Sequence, residues 1–244
     1  MHHHTSLLVA LASLLPSAYS QANGTTVSEG FESGLDAAAW PTYAVDCSQG
    51  GKVTLDSSTA HSGKNSVRVD GAGGYCGHIF FGTTKIPTSG DIYVRTWLKP
   101  SKALTDSHVS FITMPDSGLG AKKHLRIGGQ SKIAMYNLET TDATLPDLSP
   151  NGIAASKPLK AGAWQCFEYH LGADGTIETW LDDVAIEALT VKSGVNNPNA
   201  GQWTRGGYKP KITSVNFGWE SYGGDTNTVW YDDIAIGSSK IGCT

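Results

Sequence analysis

The sequence predicts an all-β protein, an antiparallel two-sheet β-sandwich that is most economically a jelly roll with a concave groove. Three observations carry that prediction. Short segments rich in Val, Ile, Thr and aromatic residues recur along the chain, with apolar and polar positions alternating inside them. Gly, Asp, Asn and Pro bound these segments, as turn residues should. No segment carries an apolar stripe of helical period long enough to compete.

Taken in order, the predicted strands are NSVRVD (65–70), CGHIFF (76–81), DIYVRTWLKP (91–100), HVSFITMP (108–115), KHLRIGGQ (123–130) and KIAMYNLE (132–139). They continue with WQCFEYHL (164–171), GTIETWLDDVAI (175–186), SVNFGWESY (214–222) and TVWYDDIAI (228–236). GADG ahead of GTIETWL is a hairpin turn, and Asp182-Asp183 marks another. Period two assigns faces: Val215, Phe217 and Trp219 point opposite to Asn216, Gly218, Glu220 and Tyr222, and His108 and Ser110 oppose Val109 and Phe111. In KHLRIGGQ, His124, Arg126, Gly128 and Gln130 share one face.

Before these strands, residues 1–20 read as a secretory signal peptide, with an apolar run from Leu7 to Leu15, Pro16 and a small-residue end at Ala18-Tyr19-Ser20. No linker, repeat or low-complexity tract follows, so residues 21–244 read as a single jelly-roll domain, extracellular and expected to be monomeric. The net charge of −4 and the absence of a Lys/Arg cluster argue against nucleic acid as a partner. No other apolar run is long enough to span a bilayer, so no membrane partner is expected. Asn23-Gly24-Thr25 is a glycosylation sequon, predicting a glycan on Asn23.

Cys47, Cys76, Cys166 and Cys243 match no zinc spacing, and an even count in a secreted chain favours two disulfides. Of the three possible pairings, Cys47 with Cys76 and Cys166 with Cys243 is favoured, because the second ties down a C-terminus that would otherwise fray. Each closes a loop worth roughly 3 to 5 kcal/mol of stability.

Two constellations carry chemistry. GFESG (30–34), HSGKNS (61–66) and WYDDIAI (230–236) come together if the first and last strands pair, placing Glu32 and Asp232 or Asp233 beside a Ser/Asn loop. Carboxylates with hydroxyl, amide and backbone oxygens suit Ca2+. Alternation with Ile234 and Ile236 assigns Asp232 to the inward side and leaves Asp233 solvated. The second constellation is the polar face of KHLRIGGQ. Arg126 and Gln130 can grip a carboxylate, and His124 and His108 can carry a proton. These are the parts needed for β-elimination on a uronic acid polymer, although a solvated strand face would look the same.

Paired carboxylates for glycoside hydrolysis are not singled out by any spacing: Glu168 and Glu178 read as solvated, and Asp142 falls in a polar loop that can fold over a groove, with Glu220 as its partner. Most of the tryptophans (Trp40, Trp97, Trp164, Trp180, Trp219 and Trp230) have core parity; Trp203, in NNPNAGQWTRGGY near Tyr208, is the candidate sugar-stacking platform.

Taken together, DCSQGG, HSGKNS, GYCGHIFFGTT, KHLRIGGQS, DATLPDLSPNGIA, QCFEYHLGADGTIETWL, VNFGWESYGGD and NTVWYDDI resemble the core domain of a family of cellulose-induced proteins secreted by wood-degrading filamentous fungi, from about Glu29 to Cys243. The resemblance implies a β-jelly roll with two disulfides and a structural Ca2+ held by Glu32, Ser62, Asn65 and Asp232. It also implies a groove lined by His108, His124, Arg126, Gln130 and Asp142, similar to that of glucuronan lyases of polysaccharide lyase family twenty. By further similarity to alginate lyases a tyrosine would join a histidine, with Tyr222 and Tyr136 both eligible. Members can carry a cellulose-binding module after the core, and none is expected here. The expectation is a secreted polysaccharide lyase that cleaves β-1,4-linked glucuronic acid polymers, its partner a uronic-acid-containing polysaccharide. A non-catalytic accessory protein binding cell-wall polysaccharide is the alternative, and a hydrolase using Asp142 and Glu220 a third.

Overall fold

The computed structural model describes residues 24–44, 46, 47 and 49–244; the expected signal peptide (1–20) and the Asn23 glycosylation site lie outside the described residues. The described strands, in chain order, are β1 (Thr25–Glu29), β2 (Thr42–Tyr43), β3 (Lys52–Asp56), β4 (Ser66–Gly71), β5 (Ile79–Thr83), β6 (Ile92–Pro100), β7 (Val109–Pro115) and β8 (His124–Gln130). They continue with β9 (Ile133–Leu138), β10 (Thr144–Leu145), β11 (Gln165–Leu171), β12 (Ile177–Leu181), β13 (Val184–Ala185), β14 (Val215–Ser221) and β15 (Asn227–Gly237). Two short helices, α1 (Pro150–Ala155) and α2 (Gly201–Arg205), sit in the connections.

These strands form a sandwich of two antiparallel sheets. The eight-stranded sheet runs β13-β12-β11-β6-β15-β4-β3, with β1 added against β15, and the seven-stranded sheet runs β10-β9-β8-β7-β14-β5-β2. Period-two patterning fixes the inner faces: Val94, Thr96 and Leu98 of β6, Phe167 and Tyr169 of β11, Leu125 and Ile127 of β8, and Val215 and Phe217 of β14 are all fully buried. An aromatic cluster of Phe31, Trp40, Phe81, Phe217 and Tyr231 closes one end, with successive ring centroids 5.6–6.5 Å apart.

Two disulfides join Cys47 to Cys76 and Cys166 to Cys243, the favoured pairing. The second works beside Glu168, whose carboxylate accepts from the backbone N–H groups of Ile241 and Gly242. Glu168 is therefore fully buried rather than solvated, because the C-terminal segment lies across it. Three other expectations are also corrected. Trp203 is 1% exposed and packs edge-on to Tyr136 and Tyr208, so it is core and not a stacking platform. Tyr136 is fully buried and bonded to Thr179, which removes it from solvent-facing chemistry. Trp97, Trp164, Trp180 and Trp230 are half-buried; Trp97 stacks on His61 (3.6 Å), and Trp180 lies 4.3 Å under Lys240. These rings cover the outer side of the eight-stranded sheet instead of filling the core.

The junction of β1 and β15 departs from simple alternation. β1 pairs with Ile234–Gly237 of β15, whereas β4 pairs with Asn227–Tyr231. Between them the register against β6 shifts at Asp232 to Ala235, and Asp233 adopts a positive φ of 44°. This bulge switches the parity, so Val229 and Tyr231 before it and Ile234 and Ile236 after it all face the core. Asp232 is fully buried, as expected, but it lies opposite Trp97 on the outer side, covered by the loop after His61. Asp233, expected to be solvated, is only 8% exposed.

Candidate active site

The outer face of the seven-stranded sheet gathers the polar residues of four strands. Backbone pairing places Thr113 beside Arg126 and Arg126 beside Asn137, while Glu220 lies across from Ser110 and Ser110 across from Gly128. Gly128 must lack a side chain, since a Cβ there would collide with the Val109 carbonyl. His108 immediately precedes β7 and Tyr222 immediately follows β14. The Tyr222 N–H donates to the His108 carbonyl (3.2 Å), which sets the two rings in a stack with centroids 5.1 Å apart.

A cavity of about 690 Å3 opens on this face, and His108, Arg126, Gln130, Asp142 and Tyr222 all line it. Asp142 is exposed, at a positive φ of 54° in the turn between β9 and β10. Four of the five predicted groove residues thus meet in one place, together with Tyr222, one of the two eligible tyrosines. His124 does not line the cavity: it is 1% exposed, its Nδ1 lies 2.6 Å from Glu139 Oε2, and its Nε2 lies 2.8 Å from the Tyr43 hydroxyl. With both ring nitrogens engaged, His124 holds neighbours in place and has no nitrogen left to exchange a proton with a ligand.

Sequence reading missed Glu139 and Asn137, and named Glu220 only as a hydrolase carboxylate. Glu139 receives Arg126 Nη2 at 3.2 Å, His124, and Lys123 at 3.6 Å. Glu220 lies 3.7 Å from the same Arg126 nitrogen and does not line the cavity. Asn137 and Glu139 have the parity opposite to Tyr136 and Leu138, so the alternation of KIAMYNLE was the available signal. That β9 lies beside Arg126 was not readable without the register.

The environment drives the titrating groups apart. Burial, aided by the Arg126 charge, lowers the His108 imidazole below its ordinary value. Partial burial and the neighbouring Glu220 carboxylate push the Tyr222 phenol well above its own, against the opposing pull of Arg126. Burial opposes ionisation of Glu139, yet the hydrogen bond from His124 and the Arg126 charge hold its carboxyl below the usual range. The Arg126 guanidinium carbon sits 5.4 Å from the Tyr222 ring centroid, and Tyr75 stacks on that ring at 5.5 Å.

Buried polar atoms without a hydrogen-bond partner concentrate here. Among the described residues, His108 Nε2, Ser110 Oγ, Arg126 Nε, Asn137 Oδ1, Thr144 Oγ1 and Glu220 Oε1 are all of this kind. Buried polar groups are ordinarily paired, so such a concentration makes this face the candidate site for a polar ligand.

The second constellation lies at the β15 bulge. Glu32 Oε1 accepts from the backbone N–H groups of Lys64 and Asn65, and Asp232 Oδ2 accepts from those of His61 and Ser62. The 61–65 loop is therefore gripped from both sides, which brings Glu32, Ser62, Asn65 and Asp232 around one turn. Asp233 binds His61 Nδ1 at 2.6 Å and Ser62 Oγ at 2.8 Å. Burial and adjacent Asp233 push the Asp232 carboxyl up to about 6. Crowded carboxylates with hydroxyl, amide and carbonyl oxygens fit the preferences of Ca2+. Among the described residues there is no cluster of three or more His, Cys, Asp or Glu able to hold a metal by themselves, so Ser62, Asn65 and backbone oxygens would have to complete the shell.

The family model described as polysaccharide-lyase-like, Cip1-like core domain, matches residues 30–239. A solved structure of the cellulose-induced protein Cip1 is 61% identical and superimposes with a TM-score of 0.87, covering 89% of this chain and 100% of that one. The endo-β-1,4-glucuronan lyase of Trichoderma reesei is 11% identical with a TM-score of 0.56, covering 88% and 96%. A botulinum neurotoxin type C structure reaches 0.55 at 11% identity, covering 90% of this chain and 49% of that one. At 11% identity these last two share the fold alone. No match is found among curated protein sequences.

Proposed function

The chain belongs to the polysaccharide-lyase-like family of Cip1-like core domains, and from that premise we propose that it is a secreted lyase cleaving β-1,4-linked glucuronic acid polymers by β-elimination. The observation that carries this reading is the His108–Tyr222 pair stacked beside Arg126, with the titrations of imidazole and phenol displaced in opposite directions. The Arg126 guanidinium and the Gln130 amide meet the uronate carboxylate, so the negative charge that develops on it after C5 deprotonation is stabilised. His108, favoured in its neutral form and lining the cavity, takes the C5 proton on its imidazole. Electrons of the C5–H bond form the C4–C5 double bond as the C4–O4 bond breaks, and Tyr222, favoured as the protonated phenol, gives its proton to O4. Asp142 stands at the rim, where it can orient sugar hydroxyls. His124 serves as a positioning residue that fixes Glu139, which in turn fixes Arg126.

Secretion agrees with the two disulfides, which persist in oxidising compartments. Ca2+ held by Glu32, Ser62, Asn65 and Asp232 would neutralise the crowded carboxylates and lock the 61–65 loop onto β15; it is remote in role from the elimination. A second reading, a non-catalytic accessory protein binding cell-wall polysaccharide, is favoured by one observation. Arg126 already faces Glu139 and Glu220, which reduces its power to neutralise a uronate.

The test incubates the protein with glucuronan and follows the ultraviolet absorbance of the unsaturated uronide that elimination alone produces. Rising absorbance that Tyr222→Phe and His108→Ala both remove supports the lyase. Binding without absorbance across pH and calcium concentration overturns it in favour of the accessory protein, and reducing ends without absorbance indicate a hydrolase.

A further inference from the structure

Beyond the Arg126 cavity lies a second, larger one of about 860 Å3, and the two share Gln202 as a lining residue. The turn between β9 and β10 is the wall between them. Asn137, Glu139, Asp142 and Thr144 face the first cavity, whereas Leu138, Thr140, Thr141 and Ala143 face the second. On the far side, Asp147 accepts the backbone N–H groups of Gly201 and Gln202 and so sets α2 and Gln202 at the junction.

The chemistry of the second cavity differs from that of the first. Its cationic side chains are Arg205, Lys209 and Lys211, all exposed, and no carboxylate lines it, in a chain whose net charge is −4. Among the described residues, the Lys and Arg ion pairs involve Arg68, Lys123, Arg126, Lys132 and Lys192, and none of these three. Trp203 also lines it, and the Trp203 Nε1 is a buried donor without a hydrogen-bond partner. Tyr208 is anchored by its hydroxyl on Asp116 Oδ2 at 2.6 Å, and with Leu119 it provides an apolar surface of the kind a sugar ring packs against.

Building on the proposed recognition of uronates, we infer that the second cavity is a further subsite for an acidic sugar, taking the carboxylate of a neighbouring residue of the same polymer. Unpaired cations above an apolar wall attract an anionic saccharide in preference to a neutral one. Gln202 bridges the two subsites. The protein then selects extended polyanionic chains, and its affinity depends on chain length.

The test measures binding of glucuronan oligomers of increasing length, and of neutral β-1,4-xylan oligomers, by calorimetry. Wild type is compared with the triple variant Arg205→Ala/Lys209→Ala/Lys211→Ala, whose three side chains are exposed. Three rim contacts together account for about tenfold in affinity. The variant should lose about that factor for long glucuronan oligomers and nothing for the shortest one bound, and raising salt should shrink the difference. Unchanged affinity of the variant for long oligomers, or equal length dependence with neutral xylan oligomers, overturns the inference. Length-dependent glucuronan binding without unsaturated product overturns the lyase reading alone; normal elimination with a variant that binds like wild type overturns the subsite alone. Failure of wild type to bind any glucuronan oligomer overturns both.

Discussion

The outer faces of the two sheets are built from similar residues and differ in how far their polar groups are matched. On the eight-stranded sheet, most polar groups are matched to one another, His170 Nε2 being an exception: Arg68 bonds Asp70 through two nitrogens, Trp230 Nε1 donates to Asp56, and both Glu168 oxygens accept backbone N–H groups. Its imidazoles are also stacked, His61 on Trp97 and His170 on Tyr93 at 3.6 and 4.1 Å. On the seven-stranded sheet, six buried polar atoms from His108 to Glu220 lack a hydrogen-bond partner, and four of the residues that carry them, His108, Arg126, Asn137 and Thr144, line one cavity. A saturated face does structural work, because every group removed leaves another buried and unpaired. An unsaturated face costs stability on its own and recovers it only when a polar ligand arrives.

The sharpest way to break this contrast is Tyr222→Phe. Elimination on glucuronan should fall about a hundredfold or more, while the melting temperature stays put, because the ring stacks on His108 and Tyr75 are kept. A large loss of stability instead would make Tyr222 a structural residue like those of the other sheet.

Next in size is Glu168→Ala on the saturated face. Two backbone donors lose their acceptor, so denaturant unfolding should show a loss of about 2 to 4 kcal/mol, with the specific activity of the folded fraction unchanged. An effect within experimental error would remove the distinction drawn between the faces.

The Ca2+ expectation belongs to the saturated sheet and can be tested there. Chelation should lower the melting temperature of wild type by an amount equivalent to about 1 to 3 kcal/mol. Glu32→Ala should melt at that lower temperature with or without chelator, and insensitivity of wild type to chelation would eliminate the metal.

Smallest is Asn137→Ala on the unsaturated face. Removing a buried amide whose oxygen has no protein partner should change stability by less than about 1 kcal/mol yet weaken oligomer binding severalfold. The pH profile sharpens the same point. A base must be unprotonated, and burial and Arg126 lower His108, so kcat/KM should rise with pH along a limb centred below the ordinary imidazole value of about 6.5. A limb above that value would assign the proton transfer to another group.

How far alternation reaches is clear from particular residues. In KHLRIGGQ it correctly separated Arg126 and Gln130 from Leu125 and Ile127, and in SVNFGWESY it separated Glu220 and Tyr222 from Phe217 and Trp219. It failed at Asp232, where the bulge changes the parity within β15. Burial of that carboxylate was expected correctly for a different reason: the 61–65 loop covers it from outside, not the opposing sheet from within.

By itself the sequence determined most of the longer strands and the separation of polar from apolar positions within them, though not β1, β2, β3 or β10, because period two and turn chemistry are local properties of the chain. Tertiary structure alone decided what lies over each outer face. Glu168 and Trp203 became buried because the C-terminal segment and the packing around α2 cover them, and His124 became a brace because β9 and β2 bring Glu139 and Tyr43 to its two nitrogens. Alternation tells which side of a sheet a residue occupies. Whether that side meets solvent, another segment or a ligand depends on contacts between residues far apart in the chain, and no local pattern encodes those.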